Sequence, residues 1–344
     1  MTAVDRRRVG TTALYLPEIG FGAASLGNLY RVIDDATAHA TLDAALAAGI
    51  TYVDTAPQYG RGLSERRVGD AVRSRRHVIV STKVGRLLEP DASIVDDRLH
   101  EGFRSPMPFS ARYDYSHDGV LRSVEDSLQR LGLARIDLLY VHDIGRRTHG
   151  EAHALYWEQL TRGGGLRALE RLRDEGAVAG FGVGVNEVEV CLEVMRETRL
   201  DAILLAGRYT LLEQGALDAL FPACSAAGTS IVIGGPYNSG VLATGTRTTD
   251  IVHYDYAPAP PAIVARVRAI EAVADRHAVA LPAAALQFVL AHPQVSSVIP
   301  GCDSAARVGQ TIDLYRHAIP AAFWTELRAD GLVRADAPLP GDPA

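Results

Sequence analysis

Four side chains in this sequence have the types and positions for proton chemistry at a carbon–oxygen bond: Asp54, Tyr59, Lys83 and His142. Three of them sit where an apolar run ends. Thr51-Tyr52-Val53 leads into Asp54, the run 78–82 into Lys83, and the run 136–141 into His142, while Tyr59 hangs on the turn made by Pro57 and Gly60. An ammonium at the exit of an apolar strand is costly unless paired, so Asp54 is the expected partner of Lys83. A lysine cation beside a phenol favours phenolate and lowers the phenol's pKa. Tyr59 is then expected to exchange a proton with a carbonyl or alcohol oxygen near neutral pH, with His142 orienting or polarising that oxygen. Such a group carries no hydride of its own, which a nicotinamide supplies or accepts. Taken singly, each residue also has an ordinary explanation as a turn, packing or polar surface residue.

The elements that must hold these residues follow from periodicity. A Gly10-Thr11-Thr12 turn between strand-like pieces suggests an N-terminal β-hairpin. Strands are then expected at 19–23, 52–54, 78–82, 136–141, 179–184, 202–205, 230–234 and 297–299. Helices are expected between and after them, at 34–48, 64–73, 117–131, 166–175, 188–198, 217–227, 263–277 paired with 283–291, and 305–314. Ser64 is the expected N-cap of the second helix, with Glu65 in its first turn. Eight strand-then-helix units without a Ser-, Pro- or Gly-rich linker favour an α/β fold of the closed (β/α)8 TIM-barrel kind. Two long β→α loops interrupt it, 84–116 and 143–164, and an insert of that length is expected to cover a site. Gly20-Phe21-Gly22 continues into Ala23-Ala24-Ser25 rather than a GxGxxG helix start, which argues against a Rossmann half. One domain over 1–335 and a frayed, proline-rich tail over 336–344 complete the expectation.

Bulk properties narrow the class. The net charge of −6 and the absence of a lysine-rich run argue against nucleic acid and anionic membrane as partners. No apolar run nears the roughly 18 residues of a membrane helix and no signal-like segment opens the chain, so a cytoplasmic protein is expected. Cys191, Cys224 and Cys302 have no CxxC spacing, so they are read as reduced thiols, two of them buried, with no metal site.

Asp54-Thr-Ala-Pro-Gln-Tyr59-Gly60, Ser64-Glu65-Arg-Arg-Val68-Gly69, Ser81-Thr-Lys83, Val141-His142, Gly184-Val-Asn186 and Ile299-Pro-Gly301, in this order, resemble the aldo-keto reductase family over about Arg8 to Leu332. The resemblance implies a (β/α)8 barrel that uses NAD(P)H without a Rossmann fold, with Asp54, Tyr59, Lys83 and His142 as its tetrad and Tyr59 as general acid/base. It places the cofactor against Gly22, Asn186, Pro236, Tyr237, Ser239, Gly240, Gly301, Asp303, Ser304 and Arg307. Three departures stand out. The family's Ser-Asn pair reads Val185-Asn186, and its glutamine after the sixth strand reads Ala206. The aromatic that stacks on nicotinamide is replaced near Gly234-Gly235, leaving Tyr237 as substitute. Where NADPH-using members carry a basic residue and a serine, this chain has Gly301-Cys302-Asp303, and an acid there suits a ribose 2′-hydroxyl better than a 2′-phosphate. NAD is therefore expected, with NADP left open by Arg307.

Within the family, Gly22 to Tyr30, Val141 to Gly145 and Gly235 to Gly240 look most like the branch of aldose 1-dehydrogenases of the L-fucose and D-threo kind and of pyridoxal 4-dehydrogenase. The resemblance implies oxidation of a cyclic hemiacetal to a lactone, the partner being a small-molecule sugar. Asn28, Asp143 and Asn238 are then candidates for bonding hydroxyls, and Tyr30 or Trp157 for stacking on a pyranose face. The other reading of each is that it only folds its loop, and the stretch 237–240 equally suits a cofactor pyrophosphate. Pyridoxal oxidation, NADPH-dependent aldehyde or ketone reduction, and a nucleotide-binding regulatory subunit acting through a partner are the alternatives. Oligomeric state is left open.

Overall fold

The computed structural model describes residues 4–94 and 98–342. Eight parallel strands form its centre, numbered here β1 (Phe21–Gly22), β2 (Tyr52–Asp54), β3 (Ile79–Val84), β4 (Leu138–His142), β5 (Gly180–Val185), β6 (Ala202–Ala206), β7 (Ser230–Gly234) and β8 (Val295–Ile299). They are hydrogen-bonded in sequence order from β1 to β8. Parallel bridges at Ile19–Val298 and Gly22–Gly301, with Gly20 N donating to Val298 O at 2.9 Å, join the last strand back to the first. The sheet is a closed barrel. Its strands are apolar runs buried on both faces, as a sheet filled inside and covered by helices outside requires.

Two cores result. Inside the barrel, Tyr52, Ile79, Leu138, Tyr140, Leu204, Val232 and Ile299 pack with Val9 and Leu16. The last two belong to the hairpin Arg6–Arg8 with Tyr15–Pro17, which plugs the amino-terminal end of the barrel. Arg7 Nη1 donates to Val295 O at 2.8 Å and Gly10 N to Ser230 Oγ at 2.7 Å, fixing the plug. Outside, the helices bury one face each; His117–Leu131 turns Val120, Val124, Ser127 and Leu131 inward at helical spacing. Asp34, Ser116 and Ser304 cap their helices by accepting from Thr37, Gly119 and Arg307.

Several expectations shift. Ser64 is not a cap: Gly62 precedes the helix Leu63–Val72, and Ser64 Oγ instead donates to Ala23 O at 2.7 Å beside Thr55. The loop after β3 has structure of its own, because Arg86–Pro90 pairs antiparallel with Phe109–Tyr113 and Leu99–His100 with Phe103–Arg104. The loop after β4 contains the helices Arg146–His149 and His153–Leu160. The tail expected to fray from Asp336 is seated: Ala337 and Leu339 are buried in the outer core, and Arg328 Nη2 donates to Ala337 O at 2.9 Å. Proline content misleads there because apolar contact and the arginine anchor outweigh it; residues 343–344 lie outside the described residues. All three cysteines are buried and free, one more than expected. Among the described residues no helix is long and apolar enough to cross a membrane.

Candidate active site

The carboxyl ends of β2, β3 and β4 bring the four polar residues together. Lys83 Nζ lies 2.6 Å from Asp54 Oδ2 and donates to Thr55 O at 2.9 Å, with both side chains of the ion pair almost fully buried. Ser81 Oγ donates to Asp54 Oδ1 at 2.7 Å. Tyr52 and Tyr140 hydroxyls continue that chain into the barrel at 3.0 and 3.3 Å. The paired ammonium is 4.6 Å from the centroid of the Tyr59 ring, and the His142 ring meets Tyr59 edge-on at 6.0 Å between centroids. Tyr59 is placed by two loops that touch backbone to backbone. Gly60 has φ +63°, and a Cβ on it would come within 2.5 Å of Gly27 O, so neither loop tolerates a larger residue.

The electrostatics differ from the sequence expectation in one respect. Burial raises the Tyr59 pKa above that of a free tyrosine; the Lys83 cation pulls it down and the Asp54 carboxylate pushes it up, leaving a net rise. The phenol therefore keeps its proton at neutral pH in the free protein. Burial works against the Lys83 ammonium, yet Asp54 and Tyr59 outweigh it and its pKa is raised. Burial likewise pushes the Asp54 carboxyl up against the pull of Lys83 and Ser81. His142 is lowered well below an ordinary histidine, first by burial and then by the cations Arg86 and Lys83, so it is neutral.

Above Asp54 and Tyr59 opens a cleft of about 980 Å³. Gly22, Tyr30, Pro236, Tyr237, Asn238, Ser239, Gly240, Gly301, Asp303 and Arg307 line it. Ser304 caps the helix Ala305–Arg316, and Asn186 follows β5, its carbonyl accepting from Arg208 at 2.8 Å; neither lines the cleft. The proposed substrate set fares less well. Asn28 is buried, its carbonyl oxygen taken by Ile33 N and Arg67, so it folds its loop. Asn238 borders the cleft but is engaged by the loop after β6: its oxygen accepts from Thr210 Oγ1 and its amide donates to Gly207 O at 3.2 Å. Trp157 lies off the cleft, in a surface depression with Arg146, His153, Glu193 and Arg196. Sequence spacing cannot tell an asparagine that bonds a ligand from one that bonds its own loop. Asp143 stands beside His142 with Arg86 Nη2 at 2.8 Å.

Three cleft features were missed. Tyr256 lines the mouth from the short hairpin His253–Tyr254 with Ala257–Pro258, its amide donating to Ser239 Oγ at 2.9 Å. Asp255, pinned by Arg208 at 3.0 Å and Arg147 at 2.9 Å, ties that hairpin across the site. Arg31 lies 3.0 Å from Asp303. The signal available for Asp255-Tyr256 was a Tyr-Asp-Tyr run ahead of a proline stretch, which by itself points nowhere.

Comparison with known proteins agrees with this geometry. The aldo/keto reductase family profile matches residues 18–329. Pyridoxal 4-dehydrogenase of Microbacterium luteolum is 42% identical over 341 residues, covering 97% of this chain and 99% of its own. D-threo-aldose 1-dehydrogenase of a Pseudomonas species is 40% identical over 324 residues, covering 93% and 95%. The holo form of an aldo-keto reductase from Bacillus halodurans superposes with a TM-score of 0.72 at 26% identity, covering 98% and 99%. The chain belongs to the aldo/keto reductase family, and is an oxidoreductase of the (β/α)8 type.

Proposed function

We propose that this protein oxidises a cyclic hemiacetal to its lactone with a nicotinamide dinucleotide, the substrate being an aldose of the L-fucose or D-threo kind oxidised at C1. The observation that supports it most is the buried Asp54–Lys83 pair set under Tyr59 and beside neutral His142 at the floor of the cleft. A dinucleotide fits the donor set of that cleft. Gly240 borders open space where a side chain would project, and Arg307, on the helix Ala305–Arg316 that walls the cleft, offers a cation. Tyr237, Ser239, Gly301 and Asp303 complete the proposed holding set. When bound, the nicotinamide accepts hydride from the carbinol carbon.

The chain's residues do the rest. Tyr59 takes the hydroxyl proton, and the Lys83 cation stabilises the phenolate that must form. Asp54 holds Lys83 as an ammonium. His142 donates a hydrogen bond to the reacting oxygen and keeps its lone pair in line with Tyr59. Phe103, tilted against Tyr59 with 6.0 Å between ring centroids, and the strapped Asp255–Tyr256 hairpin keep water from the site. A second reading, pyridoxal oxidised at C4 through its internal hemiacetal, gains weight from one observation. With Asn28 off the cleft and Asn238 engaged by the loop after β6, Leu29, Tyr30 and Tyr256 line the mouth, and that lining suits a flat ring.

The test is nucleotide reduction at 340 nm with L-fucose, D-arabinose, L-galactose, D-glucose and pyridoxal, each with NAD and NADP. Turnover on the first three sugars but not D-glucose supports the proposal; turnover on pyridoxal alone replaces it with the second reading. Tyr59→Phe should lose turnover while retaining nucleotide binding measured by fluorescence quenching, and an active variant overturns the role of Tyr59.

A further inference from the structure

Arg86 has no part in the chemistry above, yet it is buried among the groups that perform it. It follows Lys83 by three residues. Between them Gly85 takes φ +103° with Tyr115 packed so closely that a Cβ would come within 2.1 Å of its ring, and this turn sends the chain back across the end of β4. The guanidinium then reaches two acceptors at once. Nη1 lies 2.6 Å from His142 Nδ1, Nη2 lies 2.8 Å from Asp143 Oδ2, and the group rests 5.1 Å over the Tyr113 ring. The hairpin register Arg86 opposite Tyr113 fixes that stacking.

An arginine has donors and no acceptor and does not deprotonate in proteins. The atom it contacts at 2.6 Å must therefore present a lone pair. We propose that Arg86 is a positioning residue that locks His142 as the neutral Nε2–H tautomer, so that Nε2 always offers a proton to the reacting oxygen. The inference rests on the reading of His142 given above. A histidine free to choose would also populate the Nδ1–H form, which offers the substrate oxygen a lone pair instead of a donor.

The second fork of Arg86 prevents a competing arrangement. Asp143 Oδ2 is 3.5 Å from His142 Nε2, close enough to draw a proton onto the ring and turn that donor toward itself. Arg86 neutralises this carboxylate and holds it. The other groups around the ring add no opposing charge. Lys83 is an ammonium, Tyr59 is a neutral phenol in the free protein, and Tyr115 donates its hydroxyl to His142 O at 2.7 Å. His149, 3.0 Å from that hydroxyl, is held neutral at about 4 by burial and by Arg86.

The test is the nitrogen chemical shifts of 15N-histidine-labelled full-length protein, without substrate or cofactor, with the His142 signals assigned by a His142→Asn variant. Expected in the wild type from pH 6 to 9 is one unprotonated and one protonated ring nitrogen, Nδ1 and Nε2 respectively, with no titration. In Arg86→Met the same signals should titrate within that window, as Asp143 becomes an unpaired partner, and kcat/KM relative to the wild type should fall at least tenfold further at pH 6 than at pH 9. Guanidinium at millimolar concentration should restore the wild-type profile in Arg86→Ala, which a merely structural role does not predict. A protonated Nδ1 in the wild type, or an Arg86→Met protein with unchanged shifts and pH profile, overturns the proposal. Because the shifts are read on the free protein, a wild-type spectrum as expected with no turnover on any hemiacetal refutes the proposed function and leaves this inference standing.

Discussion

Lys83→Met removes the cation that lies 4.6 Å from the Tyr59 ring. At an effective dielectric of about 20, one charge at that distance is worth about 3.6 kcal/mol to the phenolate, roughly 400-fold in the phenolate-to-phenol ratio. Asp54 offsets part of the loss. Deprived of its partner in a fully buried place, its carboxyl takes up a proton and stops opposing the phenolate, which trims the expected effect to about a hundredfold. The sign follows from the net rise of the Tyr59 pKa: oxidation needs the deprotonated phenol, so the rate climbs with pH until that group titrates. Removing Lys83 pushes the titration still higher. The assay is kcat/KM for hemiacetal oxidation from pH 6 to 10.5, with Asp54→Asn as control, since it loosens the hold on the ammonium without removing the amine and should cost less than the lysine variant. Lys83→Met should still be climbing where the wild type has begun to level. A profile of wild-type shape scaled down by one factor, or a rate at pH 7.5 within threefold of wild type, would falsify the electrostatic account of Lys83.

Further outcomes follow from the same contacts. Asp303→Asn frees Arg31, 3.0 Å away, to meet a 2′-phosphate, so the ratio of kcat/KM with NADP to that with NAD should rise about tenfold, equivalent to about 1.4 kcal/mol; an unchanged ratio removes Asp303 from nucleotide selection. Tyr256→Ala should raise KM several-fold with kcat nearly unchanged, because the ring lines the mouth rather than the floor; a fall in kcat alone counts against that placement. Arg130→Met strands the fully buried Glu65 carboxylate, now 2.5 Å from Arg130 and also accepting from Thr82, and should cost about 3–5 kcal/mol in urea unfolding, whereas a loss below about 1 kcal/mol contradicts the burial argument.

Legibility in the sequence followed the range of the interaction. The eight strand-then-helix units, the hairpin ahead of them and the Asp54–Lys83 pairing could be read directly. Apolar runs and capping residues encode elements locally, and a lysine at an apolar strand exit demands a partner wherever the fold puts it. The glycines and Arg307 that line the cleft came instead from the family resemblance, since no local pattern marks them. What tertiary structure decided were the choices a side chain has among several partners. Asn28 was taken by Ile33 and Arg67 and Asn238 by the loop after β6, Trp157 fell on a helix facing away from the cleft, and Asp303 met Arg31 of the neighbouring loop after β1. Ala337 and Leu339 were drawn into the outer core despite their prolines. The balance on Tyr59 belongs to the same class, because a nearby lysine lowers a phenol's pKa and burial raises it, and only the assembled barrel sets how much of each is present.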